Sequence, residues 1–386
     1  MKALLHHFEV SIDRSIGRRN LGMGLLALIV IYFLWFPQSA APSNYSKGVY
    51  ISGFFWAILA SSWALLAGVS GQFSFGHMAF MGIGAYTAGL LSRYGLSFLH
   101  LSPDVFTPLV AITVGTLMAG FIGLLVGWLL LRLRSSYLAL FTIAFSELFR
   151  ILMLTEFQVT NGMNGLSLRP LVTGEDVVTT RNMGYYIMFG LLVISLGLMY
   201  FVSNSRVGLF LRAMREDEDA ASALGVNVIL YKVLIFVFTS MIVGMAGGIF
   251  FSNVGAERIT PETLEILQMS LVIAYAVVGG MESLLGAAAG AFISRYLLEW
   301  MRQVTITLPF GITTAGGSST IVYEPGAWRY ALFGVIVILT LRYARNGLLH
   351  PVIQWFEGRS SAMRETVSKR DSILEAANDN DTIKEA

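Results

Sequence analysis

Ten apolar segments recur along this chain of 386 residues, and most are long enough to cross a bilayer. They are Asn20–Phe36, Val49–Val69, Met78–Leu91, Thr107–Leu131, Ser136–Leu154, Gly184–Val202, Tyr231–Ser252, Leu264–Val278, Leu284–Trp300 and Trp328–Leu341. Met78–Leu91 and Leu264–Val278 are short for a full crossing, and each abuts a glycine-rich polar stretch, "GVSGQFSFGH" and "VVGGMESLLG". Such interruptions at membrane depth are tolerated only where protein shields the backbone or where it lines a water-filled cavity. Transporters use them beside their translocation pathways. The expected fold is all-α: a polytopic helical membrane protein with about ten transmembrane segments, two of them short and glycine-interrupted.

Composition agrees. A mean hydropathy of +0.67, with 55% hydrophobic and 13% charged residues, lies outside the range of a soluble enzyme. With no cysteine there are no disulfides, thiolate metal sites or Fe–S clusters. The first apolar run begins near Leu21 behind a basic segment and lacks a small-residue cleavage site, so the chain is expected to enter the membrane by its own first span. With the N-terminus in the cytoplasm, ten crossings return the C-terminus there, and 17 of the 26 Lys and Arg fall on that side. Seven fall outside, and Arg150 and Arg295 lie within spans, with Lys232 and Arg329 at span ends counted with the adjoining loops. That asymmetry follows the positive-inside rule. The expected organisation is a cytoplasmic segment 1–19, a transmembrane domain 20–345 with a cytoplasmic loop at 205–230, and a cytoplasmic tail 346–386. Residues 1–12 suit an interfacial helix, and the polar end of the tail from Ser360 suits disorder.

Within the loop, "FLRAMREDEDAASALGVN" packs six ionisable residues into the eight positions from Arg212 to Asp219. At about 2.5–3.5 kcal/mol per charge at mid-bilayer, burying them would cost on the order of 15 kcal/mol or more, so the stretch belongs in water or at the interface. It reads as one helix, with i,i+4 pairs Arg212–Glu216 and Arg215–Asp219. Ala213, Ala220 and Leu224 line one side as a small-residue stripe, and Gly225 stops it. A solvated loop helix and a docking helix both fit these residues.

Asp219-Ala220-Ala221-x-x-x-Gly225 resembles the EAA-x-x-x-G loop of ABC importer permeases, with Asp in place of the usual Glu. "SGQFSFGHMAFMGIGAYTAGLL", "TNGMNGLSLRP" and "YAVVGGMESLLGAAAGAF" resemble, in order and spacing, the membrane subunits of branched-chain amino acid ABC importers, most closely the LivM-type subunit. The resemblance covers approximately residues 50–345. "TNGMNG" departs from the usual "TGGxxG", and "FSFGH" differs conservatively from "LSLGH". In that family the loop forms a short cytoplasmic coupling helix seated in a cleft of the ATP-binding subunit. The resemblance therefore assigns ATPase coupling to Arg215, Glu218, Asp219, Ala220, Ala221 and Gly225. It also implies a paralogous permease, two ABC ATPase subunits, a periplasmic or extracellular substrate-binding protein, and the bacterial inner membrane. The chain has no G-x-x-x-x-G-K-[ST] and no Gly-Lys dipeptide, so it has no phosphate-cradling loop of its own. Any ATP is expected on partner subunits, with no cofactor on this chain.

Candidates for the translocation path are Gln72, Ser74, His77 and Gly84 around the first interruption, and Asn161 and Asn164 in the outer loop 156–183. The first three either satisfy nearby backbone and helices or line and gate the path. The outer loop either meets a receptor, roofs the cavity, or is merely exposed. Glu147 and Arg150 share a face of the fifth span at i,i+3; they either pair with each other or serve a charge relay or substrate contact. Arg295 and Glu299 are expected to be a snorkelling pair. Gly123-x-x-x-Gly127, Gly244-x-x-x-Gly248 and Gly286-x-x-x-Gly290 permit close helix packing. His77 has no second metal ligand at a suitable spacing, and no motif of a hydrolase or cysteine nucleophile occurs. The sequence thus points to a permease subunit of an ABC importer for branched-chain amino acids. A same-family permease for urea, short amides or other amino acids is the nearest alternative, and an ATP-independent secondary transporter or channel the next.

Overall fold

The computed structural model describes residues 24, 27–38, 43–95, 107–130, 135–172, 176–252, 258–303, 306–307, 313–314, 317–318, 322–323, 328–344 and 347. The expected interfacial helix at 1–12, the disordered tail and the basic residues of "RLRSS" lie outside them. Two compact units are distinguished. The first is Met1–Phe36 with His350–Ala386, to which most of the short apolar helix α1 (Ala27–Gln38) belongs. The second is Pro37–Leu349.

The second unit is built of α2 (Asn44–Ala64), α3 (His77–Tyr94), α4 (Pro108–Leu130), α5 (Ser135–Thr155), a four-residue α6 (Phe157–Thr160) and α7 (Val177–Asn204). There follow α8 (Arg206–Glu216), α9 (Glu218–Ala223), α10 (Val228–Ser252), α11 (Ile266–Gly279), α12 (Leu284–Gln303) and α13 (Trp328–Tyr343). Within the described residues, each of the ten apolar segments overlaps one of these helices or α1. Among the described residues, 5 helices are long and apolar enough to cross a membrane, or 6 if α11 and α12, bent by 117° at their break, count as one span. The connection between α12 and α13 holds two short antiparallel pairings that the sequence reading did not anticipate. They are β1 (Ile306–Thr307) with β4 (Val322–Tyr323), and β2 (Thr313–Thr314) with β3 (Gly317–Ser318).

Helix α2 is the axis of the fold. Of its most apolar window, extended to Val69, 89% is buried, because α7, α10, α11 and α12 all pack on it. Its sequence permits this: Ala57, Ala60, Ser61 and Ala64 give close approach, while Phe54, Ile58, Leu59 and Trp63 fill the remaining space. A second group joins α3, α4 and α10. There a Cβ on Gly84 would collide with the Gly244 backbone, and one on Gly115 with the Gly84 carbonyl, so main chains touch directly. The G-x-x-x-G stretches are used as expected: Gly244 faces Ala119, Gly248 faces Ile112, and Gly290 meets the backbone of Gly279.

Arg295 and Glu299 pair, Nη2 to Oε2 at 3.7 Å, but Glu299 is buried rather than reaching outward. It accepts from Tyr45 Oη at 2.6 Å and Arg302 Nη1 at 3.2 Å, while Arg295 donates to Ser52 Oγ at 3.0 Å. Through Tyr45 and Ser52 the pair fastens α12 to α2.

Candidate functional site

The charged stretch is two helices, not one. Asp217 takes an extended conformation, φ −155° and ψ 111°, and its carboxylate accepts from the backbone N–H of Asp219 and Ala220 at 2.9 and 3.0 Å. An aspartate that caps a helix start competes with one that continues a helix, and here capping wins. Glu218 and Asp219 then sit in the first turn of α9, where the helix dipole favours negative charge. Gly225, at φ +86°, ends α9: its N–H bonds Ser222 and that of Val226 bonds Ala221, the paired pattern of a Schellman cap.

The break separates Arg215 from Asp219, and within α8 Arg212 turns to Ser203 rather than to Glu216. Arg212 donates to the carbonyl and hydroxyl of Ser203 at 3.0 Å. Lys232 Nζ donates to Glu218. Leu211, Met214 and Ala221 face inward, whereas Ala213, Ala220, Asp219 and Leu224 are exposed, Leu224 to 87%. The loop therefore has an anchored side and a free side of mixed acidic and small apolar character.

Arg215 is the most consequential of these residues. Its Nη1 donates to the carbonyl of Gly68 and its Nη2 pairs with Glu282 Oε1 at 2.8 Å. Gly68 lies in a wider π turn, Leu65–Val69, that ends α2. Glu282 lies in the bend between α11 and α12. The two interruptions also touch one another, because a Cβ on Gly68 would strike the carbonyl of Met281. One guanidinium on the charged loop thus joins both helix breaks.

Beyond the π turn the chain reverses through Gly71 (φ +72°) and enters α3. The Gln72 N–H reaches back to the Leu66 carbonyl at 3.1 Å, Trp63 Nε1 donates to the Ser74 carbonyl at 2.9 Å, and the Phe75 N–H donates to Thr142 Oγ1 at 3.0 Å. Gln72, Ser74 and His77 are all buried. Ser74 is engaged by the Gly76 N–H at 3.2 Å. Neither amide atom of Gln72 has a hydrogen-bond partner among the described residues, and His77 lies beside the Ser62 backbone without closing a bond of normal geometry.

The remaining path candidates are elsewhere. Gly84 is enclosed in the α3–α10 contact. Asn161, in the left-handed region at φ +66°, terminates α6, and its Nδ2 donates to the Gly165 carbonyl at 3.3 Å. Asn164 is exposed beside it. This loop is fixed by a bridge between Leu166 and Ile259, and Leu168 packs on Gly89 near the end of α3. The asparagines and the Gln72–His77 turn are therefore at opposite ends of α3. Glu147 and Arg150 pair with each other, Nε to Oε2 at 2.9 Å and Nη2 to Oε1 at 2.6 Å. The links of Arg215 to Glu282 and Lys232 to Glu218 escaped the sequence reading, which weighed only neighbours one helical turn apart.

Many apolar helices, two interrupted spans meeting at one point and a charged loop tied to that point define a multi-pass helical membrane permease. The family model described as "Branched-chain amino acid transport system / permease component" matches residues 47–341, and the chain belongs to that family. It is similar to the high-affinity branched-chain amino acid transport system permease protein LivM of Escherichia coli (strain K12), with 29% identity over 321 residues, covering 76% of this chain and 71% of that protein. To the probable branched-chain amino acid transport permease protein LivM of Methanocaldococcus jannaschii it is 24% identical over 315 residues, covering 73% and 86%. A shorter match, 26% over 156 residues, covers 39% of this chain and 35% of the xylose transport system permease protein XylH of Escherichia coli (strain K12). No solved structure matches. The family is the permease subunit of an ABC importer, which works with ATPase and other subunits.

Proposed function

We propose that this chain carries leucine, isoleucine or valine across the bacterial inner membrane, with both of its termini in the cytoplasm. A paralogous permease completes the pathway, two ATPase subunits dock on the cytoplasmic side and hold the ATP, and a soluble receptor delivers the cargo. The observation that carries this reading is the arrangement of the 205–230 loop. Its outer side offers Asp219, Ala220 and Leu224 to a partner, while Arg215 on its inner side grips both interrupted spans. A pull on the loop reaches both breaks through the contacts of Arg215. The relatives' names support the cargo, and the positive-inside asymmetry supports the orientation.

The reading is tested by uptake of labelled leucine into cells with and without this chain, beside labelled urea and xylose. Leucine uptake that disappears with the chain supports it. Loss of urea or xylose uptake alone favours a same-family permease with another cargo, a reading to which the shorter match with a xylose permease lends weight. Co-purification separates the next alternative: a stoichiometric ATPase partner is expected, and transport by the lone subunit in liposomes overturns the coupled reading.

A further inference from the structure

Helix α5 combines two properties that conflict in a lipid-facing span. Only 22% of its apolar window is buried inside the chain, against 89% for the window around α2. Yet midway along it stands the Glu147–Arg150 pair, with side chains 41% and 21% exposed. Ionisable groups at membrane depth are costly against hydrocarbon and face protein or a water-filled path. This face of α5 is therefore covered by another membrane subunit or by water.

Beside the pair opens a cleft of about 160 Å³ lined by Phe75, Ile143, Ser146, Glu147 and Ile266. Three separate features meet there: Phe75 from the first helix break, the polar face of α5, and Ile266 at the start of the half-length α11. The cleft is smaller than the roughly 300 Å³ at which drug-sized sites begin. It suits part of one small molecule and leaves room for a second membrane subunit to close it. Its lining combines one carboxylate, one hydroxyl and three apolar side chains; Arg150 stands one helical turn beyond, within electrostatic reach of Glu147 and also of Glu265.

We infer that the Glu147–Arg150 pair and the adjoining cleft form a subsite for a zwitterionic aliphatic amino acid in transit. This rests on the reading of the chain as an amino acid permease. The ammonium of the cargo faces Glu147, its carboxylate faces Arg150, and its side chain lies against Phe75, Ile143 and Ile266. With no cargo the two residues neutralise each other, so neither charge stands alone in the membrane. Cargo replaces one ion pair by two, and release restores the first. The exchange keeps the number of uncompensated charges at zero, which makes binding weak and reversible as a pathway requires.

The absence of cysteine from the chain makes the test direct. In the complete importer in liposomes, S146C, at the cleft but outside the assigned cargo contacts, provides a single thiol in this chain for a methanethiosulfonate reagent, with leucine uptake measured on the same preparation. Leucine at ten times its dissociation constant leaves about one site in eleven open, so labelling slows about tenfold. Leucinamide, which lacks the carboxylate, and 4-methylpentanoate, which lacks the ammonium, protect far less. Adding E147Q or R150Q removes the protection by leucine. Leucine uptake by the S146C protein with unchanged labelling overturns the subsite and leaves the transport reading standing. Absence of leucine uptake by the importer carrying the native chain overturns both.

Discussion

Replacing Arg215 tests whether the charged loop drives the helix breaks. Arg215→Ala removes two contacts of unequal weight. A hydrogen bond from a charged donor to a carbonyl such as that of Gly68 is worth about 1.5–3 kcal/mol. The pair with Glu282, whose side chains are 34% and 57% exposed, adds about 1 kcal/mol or less. Together they hold the loop to the breaks by about 2–4 kcal/mol, a factor of about 30 to nearly 1,000 in the equilibrium between linked and unlinked loop. In liposomes with the complete importer, the count of leucine imported per ATP hydrolysed is expected to collapse while hydrolysis continues. Glu282→Gln keeps the Gly68 contact and is expected to lower the count by less than about fivefold. Arg215→Lys retains charge but loses the planar fork that spans both partners, and falls between. The reasoning fails if Arg215→Ala transports as many molecules per ATP as the native protein, or if Glu282→Gln is the more damaging change.

Other substitutions separate docking from packing. Asp217→Ala removes the cap of the six-residue α9 at a cost of about 1 kcal/mol, and recovery of the ATPase with the purified permease should fall severalfold; Asp217→Asn should restore it. Reversing Glu218 and Asp219 to lysine should abolish uptake while membrane insertion persists, and native uptake would remove the loop's docking role. Gly84→Ala sets a methyl against the Gly244 backbone and should cost about 1–3 kcal/mol, lowering the melting temperature in detergent; Gly89→Ala, whose methyl meets the side chains of Leu168 at 3.3 Å and Leu166 at 3.6 Å, should be milder. A thiol introduced as S222C, at an exposed position of α9, should react with an impermeant reagent only from the cytoplasmic side.

The spans were legible because a run such as Val228–Ser252 has one physical solution in a membrane, whatever surrounds it. Their depth in the bundle was not. Helices α2 and α5 are both apolar, but α2 carries small residues on several sides and becomes the axis, whereas α5 keeps its bulk and stays at the edge. The stop at Gly225 was legible, since a glycine after a small-residue run caps a helix through local geometry alone. The break at Asp217 was not, because four consecutive acidic residues read equally as helix interior or helix start. Arg215 and Lys232 were beyond reach for another reason: their partners are 67, 147 and 14 residues distant, and only the folded chain brings them together. Glu147 and Arg150, one turn apart, could be paired from the sequence directly.

Where α3, α4 and α10 cross, the contact is peptide against peptide. Side chains that interdigitate can slide or change rotamer; bare backbones held by Gly84, Gly115 and Gly244 have nothing to adjust. A displacement of any one of these three helices is therefore passed to the others through their main chains, with no side chain between to absorb it.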